Sequence, residues 1–388
     1  MTPSEWIEED IGELFQFHRT TALSRAQLSE EGEIGYIHYG DIHAKWGTHL
    51  NVSEHELPRV RAIMTLSATR VQDGDLVLAD ASEDLEGVGR AVEISGVGDQ
   101  EIIAGLHTVL MRPRPNTFEP GFAGFLQRCP EFQAQSRTLA AGLKVYGLSK
   151  TALRKIRVSV PPVAEQRVIA KALSDANALV VSLDELIAKK RDVKQAATQQ
   201  LLTGRTRLPG FAQPWSDEPL GSLLQYEQPT KYLVKTSDYL ESGNIPVLTA
   251  GKSFLLGYTN EEDGIYHTVP TILFDDFTTA AQWVDFPFKV KSSACKMLTT
   301  RSESVDLRFV YEQLREIRFE PTDHKRHWIS MFASMTIRIP TPEEQRAIAE
   351  VLSDMDAEID ALVAQREKAD LVKQGMMQEL LSGRVRLV

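Results

Sequence analysis

A segment of 48 residues occurs twice in this chain of 388, and that duplication constrains the fold more than any single motif. Residues Pro161 to Leu208 read PPVAEQRVIAKALSDANALVVSLDELIAKKRDVKQAATQQLLTGRTRL. Residues Pro340 to Leu387 read PTPEEQRAIAEVLSDMDAEIDALVAQREKADLVKQGMMQELLSGRVRL. Without a gap, 22 of the 48 positions are identical, including EQR, LSD, VKQ and the closing GR-x-RL. A shorter echo opens each half, Trp6-x5-Gly12-x-Leu14-x-Gln16 and Trp215-x5-Gly221-x-Leu223-x-Gln225. The chain therefore repeats one plan, a variable stretch followed by the shared segment.

Each shared segment reads as one long helix. Pro161 and Pro162, or Pro340 and Pro342, end the preceding strand and lead into a first turn, where a missing N–H costs nothing. Glu165, Glu343 and Glu344 put negative charge in that turn, where the helix dipole favours it. Gly204 and Gly383 stand where a C-terminal cap is expected. Ile169, Leu173, Val180, Leu183 and Ile187 fall on one stripe, and Ile348, Leu352, Met355, Ile359 and Leu362 repeat it. About 38 helical residues would span roughly 55–60 Å, and a lone stripe of that length needs a partner. The other copy is the expected one. Residues 163–208 carry eight Lys/Arg against five Asp/Glu, whereas residues 342–388 carry six against ten. Lys190, Lys194, Arg366 and Lys373 interrupt the apolar register late in the two helices.

The stretches 1–160 and 209–339 show short alternating runs, such as Asp75–Leu78 and Thr336–Ile339, punctuated by Gly and Asp turns. They read as α+β domains. The expected division is a first domain at 1–160, a first helix at 161–208, a second domain at 209–339 and a second helix at 340–388. The fold class expected is thus α+β, two mixed domains joined by two long coiled-coil helices, with an internal repeat.

Composition removes several classes. Two distant cysteines, Cys129 and Cys295, exclude a disulfide framework and a cysteine-rich zinc site. No apolar run is long enough to cross a membrane and no leader pattern opens the chain, so a cytoplasmic protein is expected. A net charge of −11 argues against indiscriminate coating of nucleic acid, though not against local basic patches. Thr249-Ala250-Gly251-Lys252-Ser253 ends like a phosphate loop, but Pro246 stands where its first glycine should be. His324-x-x-His327 has the wrong spacing for a helical zinc pair, and no metal site is expected. Asp275 and Asp276 are the sharpest acidic cluster. A metal-dependent nuclease would begin there, but neighbours on a strand point to opposite faces, and capping of backbone N–H groups is the plainer expectation.

Other segments suit contact with DNA. Gln228, Thr230, Lys231 and Tyr232 combine an amide, a hydroxyl, a cation and an aromatic ring, and Lys252 follows in the same half. Lys289 and Lys291 alternate with Val290, as a strand with a phosphate-facing edge would. Gly40, Asp41 and His43, with His107 and Arg112, are the comparable candidates in the first half.

The chain resembles the specificity subunits of type I restriction-modification systems. The resemblance rests on the two P-x-x-x-EQ-x-x-IA-x-x-L openings, the two LL-[TS]-GR-x-RL closings and the alternation of variable and shared segments. LADASEDLEGVGRAVEI and AGLHT are similar to segments of that family's first recognition domains, and EQPTKYLV, PVLTAGKSFLLGYT and FDDFTT to a common second type. The resemblance implies a non-catalytic subunit that reads an asymmetric, bipartite site on double-stranded DNA, its two long helices packed antiparallel about an internal pseudo-twofold and fixing the spacer. It further implies two modification subunits that methylate adenine N6 from S-adenosylmethionine, and two restriction subunits that use ATP and Mg2+. The chain itself would bind no cofactor. The competing readings are the stand-alone nuclease, a pure scaffold and a site-specific DNA-binding regulator.

Overall fold

The computed structural model describes residues 6–65, 67–251, 253–317, 328 and 331–387. They form two compact units, Met1–Asp184 with Ala364–Val388, and Glu185–Val363. The four-segment division runs across these units. Each long helix, Val163–Leu202 and Pro342–Leu380, gives its first part to one unit and its last part to the other.

Both units follow one plan, and the duplication extends into the variable stretches. In the first unit, among the described residues, the strands Phe15–His18, Thr108–Pro113, Leu76–Ala79, Ala91–Ser95 and His49–Asn51 form a sheet in that order. In the second, Leu224–Glu227, Cys295–Thr300, Thr271–Asp275 and Ala281–Val284 form the matching sheet, which ends one strand earlier. A strand at the start of each unit pairs antiparallel with the strand entering its helix: Ile7 opposite Val160, and Ser216 opposite Ile339. That pairing brings Trp6 and Trp215 to the foot of their helices.

The foot of each helix explains the repeated sequence. In the first unit Glu165 is nearly fully buried and accepts from Trp6 Nε1 at 3.2 Å. Arg386 grips the same carboxylate through two hydrogen bonds of 2.6 and 2.7 Å. In the second unit Glu344 accepts from Trp215 Nε1 at 3.3 Å and from Arg207 at 2.5 and 2.6 Å. These hydrogen bonds hold both guanidinium pKa values above the ordinary one. The GR-x-R closing of one helix thus clasps the EQ opening of the other. Gly204 (φ +67°) and Gly383 (φ +68°) make this possible, turning the chain in the left-handed region within van der Waals reach of the two indoles. The glutamines beside the clasps dock the domains: Gln166 accepts from Glu119 N and Gln345 from Asp306 N.

Inside each unit the helices run antiparallel. Asp184 meets Arg366 in the first unit, and Lys190 meets Glu358 and Lys194 meets Asp356 in the second. Three of the four charges that interrupt the apolar register therefore form cross-helix pairs, which match the opposite charge balance of the two segments, whereas Lys373 pairs with Asp370 on its own helix at 2.9 Å. The seam residues divide into groups. Ile169 and Leu173 belong to the first unit's core, with Leu153, Ile156, Leu380 and Leu381. Ile348 and Leu352 belong to the second unit's core, with Leu201, Leu220 and Phe309. Val180, Leu183, Ile187 and Ile359 are buried, whereas Met355 and Leu362 are only half-buried. Burial of the stripe is complete at Leu173 and Leu352 and partial at Leu362.

This gradient has a measurable consequence. Leu173→Ala and Leu352→Ala should each cost about 3 kcal/mol in denaturant titrations, because each empties a filled core position. Leu362→Ala should cost well under half of that. Equal losses at all three sites would show that one continuous seam, not two cores, holds the helices.

Candidate nucleic-acid interface

In the first unit the strand Ile34–Ile37 feeds a short helix, Tyr39–Ala44. His38 caps it, its Nδ1 accepting from Gly40 N at 3.0 Å; burial lowers the ring's pKa and keeps that nitrogen an acceptor. A side chain at Gly40 would crowd this cap, since its Cβ would lie 3.2 Å from His38 Nδ1. Ile42 enters the core, and Tyr39, Gly40 and His43 line an open cleft of about 480 Å³. His43 Nε2 lies 2.9 Å from Ala81 O, and Arg90 donates to His43 O at 2.9 Å. His107, on a left-handed turn (φ +53°), lies 3.3 Å from Asp80 and receives the Tyr39 ring edge-on at 5.3 Å. Glu83 and Asp84 complete the rim. The cleft offers a guanidinium suited to guanine, carboxylates suited to the cytosine amine, and two imidazoles.

The structure brings Gly40, His43 and His107 together there. Asp41 and Arg112 behave otherwise, and both require correction as direct DNA contacts. Asp41 is buried, and its Oδ1 holds Arg25 at 2.8 Å and Lys45 at 3.1 Å. Those two cations, whose side chains stay more than half exposed, are the groups that can reach phosphates. Arg112 spends its donors inside the unit, bidentate on buried Asp75 at 2.8 Å and on Arg70 O at 3.0 Å. Sequence reasoning missed Arg25, Lys45 and Arg90. Only Arg90 left a signal, inside the LADASEDLEGVGRAVEI segment.

In the second unit Gln228 opens a single 3-10 turn, Pro229–Tyr232, that leaves Gln228, Thr230 and Lys231 exposed. Val234 N donates to Val290 O at 2.9 Å and ties this segment to the strand Lys289–Val290. Tyr232 is half-buried and donates to Glu227 at 2.7 Å, and that hydrogen bond pushes its phenol up to about 12. Lys291 is exposed, its ammonium 5.8 Å from the Tyr239 ring centre. Lys289 requires correction. It is 1% exposed, donates to Asp263 O at 2.6 Å and pairs with Glu261 at 3.0 Å, so it cannot face a phosphate. Both faces of this strand are covered, and alternation of cation and apolar residue does not mark an edge there. Lys252, His324 and His327 lie outside the described residues.

The acidic pair is structural. Asp275 Oδ1 accepts from Phe277 N and Thr278 N at 2.9 and 2.8 Å. Asp276 accepts from Trp328 N at 2.8 Å and pairs with Lys296 at 3.0 Å. Lys296 has no exposed surface and lies under the Tyr226 ring. Among the described residues no three His, Cys, Asp or Glu side chains gather as a metal site.

Known proteins share this plan of a duplicated α+β chain with paired helices. Residues 213–370 match the family described as type I restriction modification DNA specificity domain. The chain is 49% identical over 151 residues to the EcoR124I/EcoR124II specificity subunit of Escherichia coli, which covers 38% of this chain and 37% of that protein. It is 24% identical over 417 residues to the putative MjaX specificity subunit of Methanocaldococcus jannaschii, covering 99% and 95%. The crystal structure of the S subunit from M. genitalium superposes with a TM-score of 0.65 at 15% identity, over 98% of this chain and 99% of that one. Residues 213–370 thus match the DNA specificity domain of type I systems, and the chain as a whole is similar to type I restriction specificity subunits. The E. coli match spans little more than a third of that relative's length. No helix among the described residues is long and apolar enough to cross a membrane.

The buried pair yields a test of the structural role. Asp276→Ala strands the Lys296 charge in the core and should cost about 3–5 kcal/mol, lowering the thermal midpoint with or without magnesium. A metal-ligating carboxylate predicts the reverse, little loss of stability and a lost magnesium response.

Proposed function

We propose that this chain is the DNA-reading, non-catalytic subunit of a type I restriction-modification complex. Its first unit reads one half of a bipartite site and its second unit the other. The observation that carries this reading is that one duplicated frame presents two chemically unlike polar surfaces. The first offers His43, Arg90, His107 and flanking carboxylates in a cleft. The second offers Gln228, Thr230, Lys231 and Lys291 on an open face. A symmetric dimer of identical domains reads a palindrome; unlike domains on one chain read an asymmetric site.

The long helices would carry two adenine-N6 methyltransferase subunits. Leu179, Val181, Leu371 and Val372 in the first unit, and Leu186 and Val193 in the second, are exposed aliphatic residues on those helices and support a helical partner. Where the system restricts, two further subunits would cleave unmodified DNA with ATP and Mg2+. S-adenosylmethionine, ATP and Mg2+ would belong to the partners, and the complex would work in the cytoplasm. The acidic chain favours tight DNA binding only after assembly.

Binding by the assembled methyltransferase complex tests this. Arg90→Ala should relax only the first half-site and Gln228→Ala only the second, each by about 1–3 kcal/mol of discrimination. Lys231→Ala should weaken binding to all sequences and lower the salt slope by about one. Loss of both halves from either base-reading variant, or of neither, contradicts the assignment. Full specificity from the chain without a methyltransferase favours the regulator reading.

A further inference from the structure

We propose that Leu143 is an apolar wedge that enters the base stack of the half-site read by the first unit, a proposal that rests on the DNA-reading function above. Leu143 is 97% exposed, more than any other large apolar side chain among the described residues. Scattered exposed leucines are ordinary on a protein surface. This one is held out by a built loop.

Ala141 N donates to Gly147 O at 3.0 Å, and Gly147 N returns a bond to Ala141 O at 2.8 Å, closing the loop at its base. Gly142 (φ +145°) makes the tight turn, since a Cβ there would lie 1.8 Å from Val145 O. Tyr146–Gly147 then pairs with Ala81–Ser82, and Leu148 N donates to Asp80 O at 2.8 Å. The tip is therefore anchored on both sides.

The anchoring strand is also the wall of the base-reading cleft. Ala81 O contacts His43, and Asp80 N donates to His107 O at 3.1 Å. Val145, two residues from the tip, lines the cleft itself. An aliphatic tip fixed beside groups suited to base edges can insert between adjacent base pairs, unstack them and kink the duplex away from the inserted side, while exposed Lys144 stays near the phosphates.

The test uses the full chain assembled with its modification subunits. The DNA duplexes carry single 2-aminopurine substitutions stepped through the first half-site. With the wild-type chain, fluorescence should rise at one base step in addition to the methylated adenine. Leu143→Ala should abolish that second signal and weaken cognate binding about tenfold, with the second half-site and the adenine signal unchanged. Leu143→Met should retain the signal. Because the side chain contacts solvent, both variants should match the wild-type thermal midpoint. Wild-type fluorescence and affinity in Leu143→Ala overturn the proposal, and so does failure of that variant to assemble, which would make the tip a protein contact. A wild-type complex that distinguishes no bipartite sequence sinks the DNA-reading function, and the wedge with it.

Discussion

The buried carboxylates of Glu165 and Glu344 are the points on which this architecture closes. Each is taken out of water at the start of a long helix, an unfavourable step unless the charge is matched with good geometry. A bidentate arginine and an indole N–H supply that match in both units. In the second unit the arginine lies 137 residues from its glutamate; in the first it lies 221 residues away. The first closure thus joins Trp6, Glu165 and Arg386 from three separate segments of the sequence. The residues of this closure, EQ at one end and GR-x-R at the other, are identical in the two repeats.

Closure at fixed points leaves the rest of each unit free to differ. The matching sheets and the strand pair beside each helix give both domains the same scaffold. What each scaffold displays is decided by short connections: a capped helix and a stitched loop in the first unit, a 3-10 turn tied to a buried strand in the second. Specificity can thus change without touching the clasp, the docking glutamines or the cross-helix ion pairs. Exposed ion pairs add little stability individually, and their value here lies in register.

How much of this was legible in the sequence depended on whether the determining partner was nearby. The helices, their proline entries and their glycine exits follow from local rules, and Gly204 and Gly383 adopt the left-handed turn those rules require. The exposure of Gln228, Thr230 and Lys231 follows from a proline-bounded turn. Asp41, Arg112 and Lys289 were misleading for one shared reason. A charged side chain on a short element looks the same whether it faces water or is itself drawn inward onto a partner. The partners stand 37 residues away for Arg112 and 26 for the Asp263 carbonyl that holds Lys289. The cut between the units was equally hidden, because an unbroken helical period carries no mark where it passes from one core to the next.

Single-molecule sequencing of adenine methylation, in cells that express this chain with the proposed modification subunit, tests the central claim most directly. The account predicts one non-palindromic motif, two unlike half-sequences separated by a spacer of constant length, with methyladenine in both halves. A palindromic motif, a single uninterrupted motif or methylation without sequence preference would contradict it.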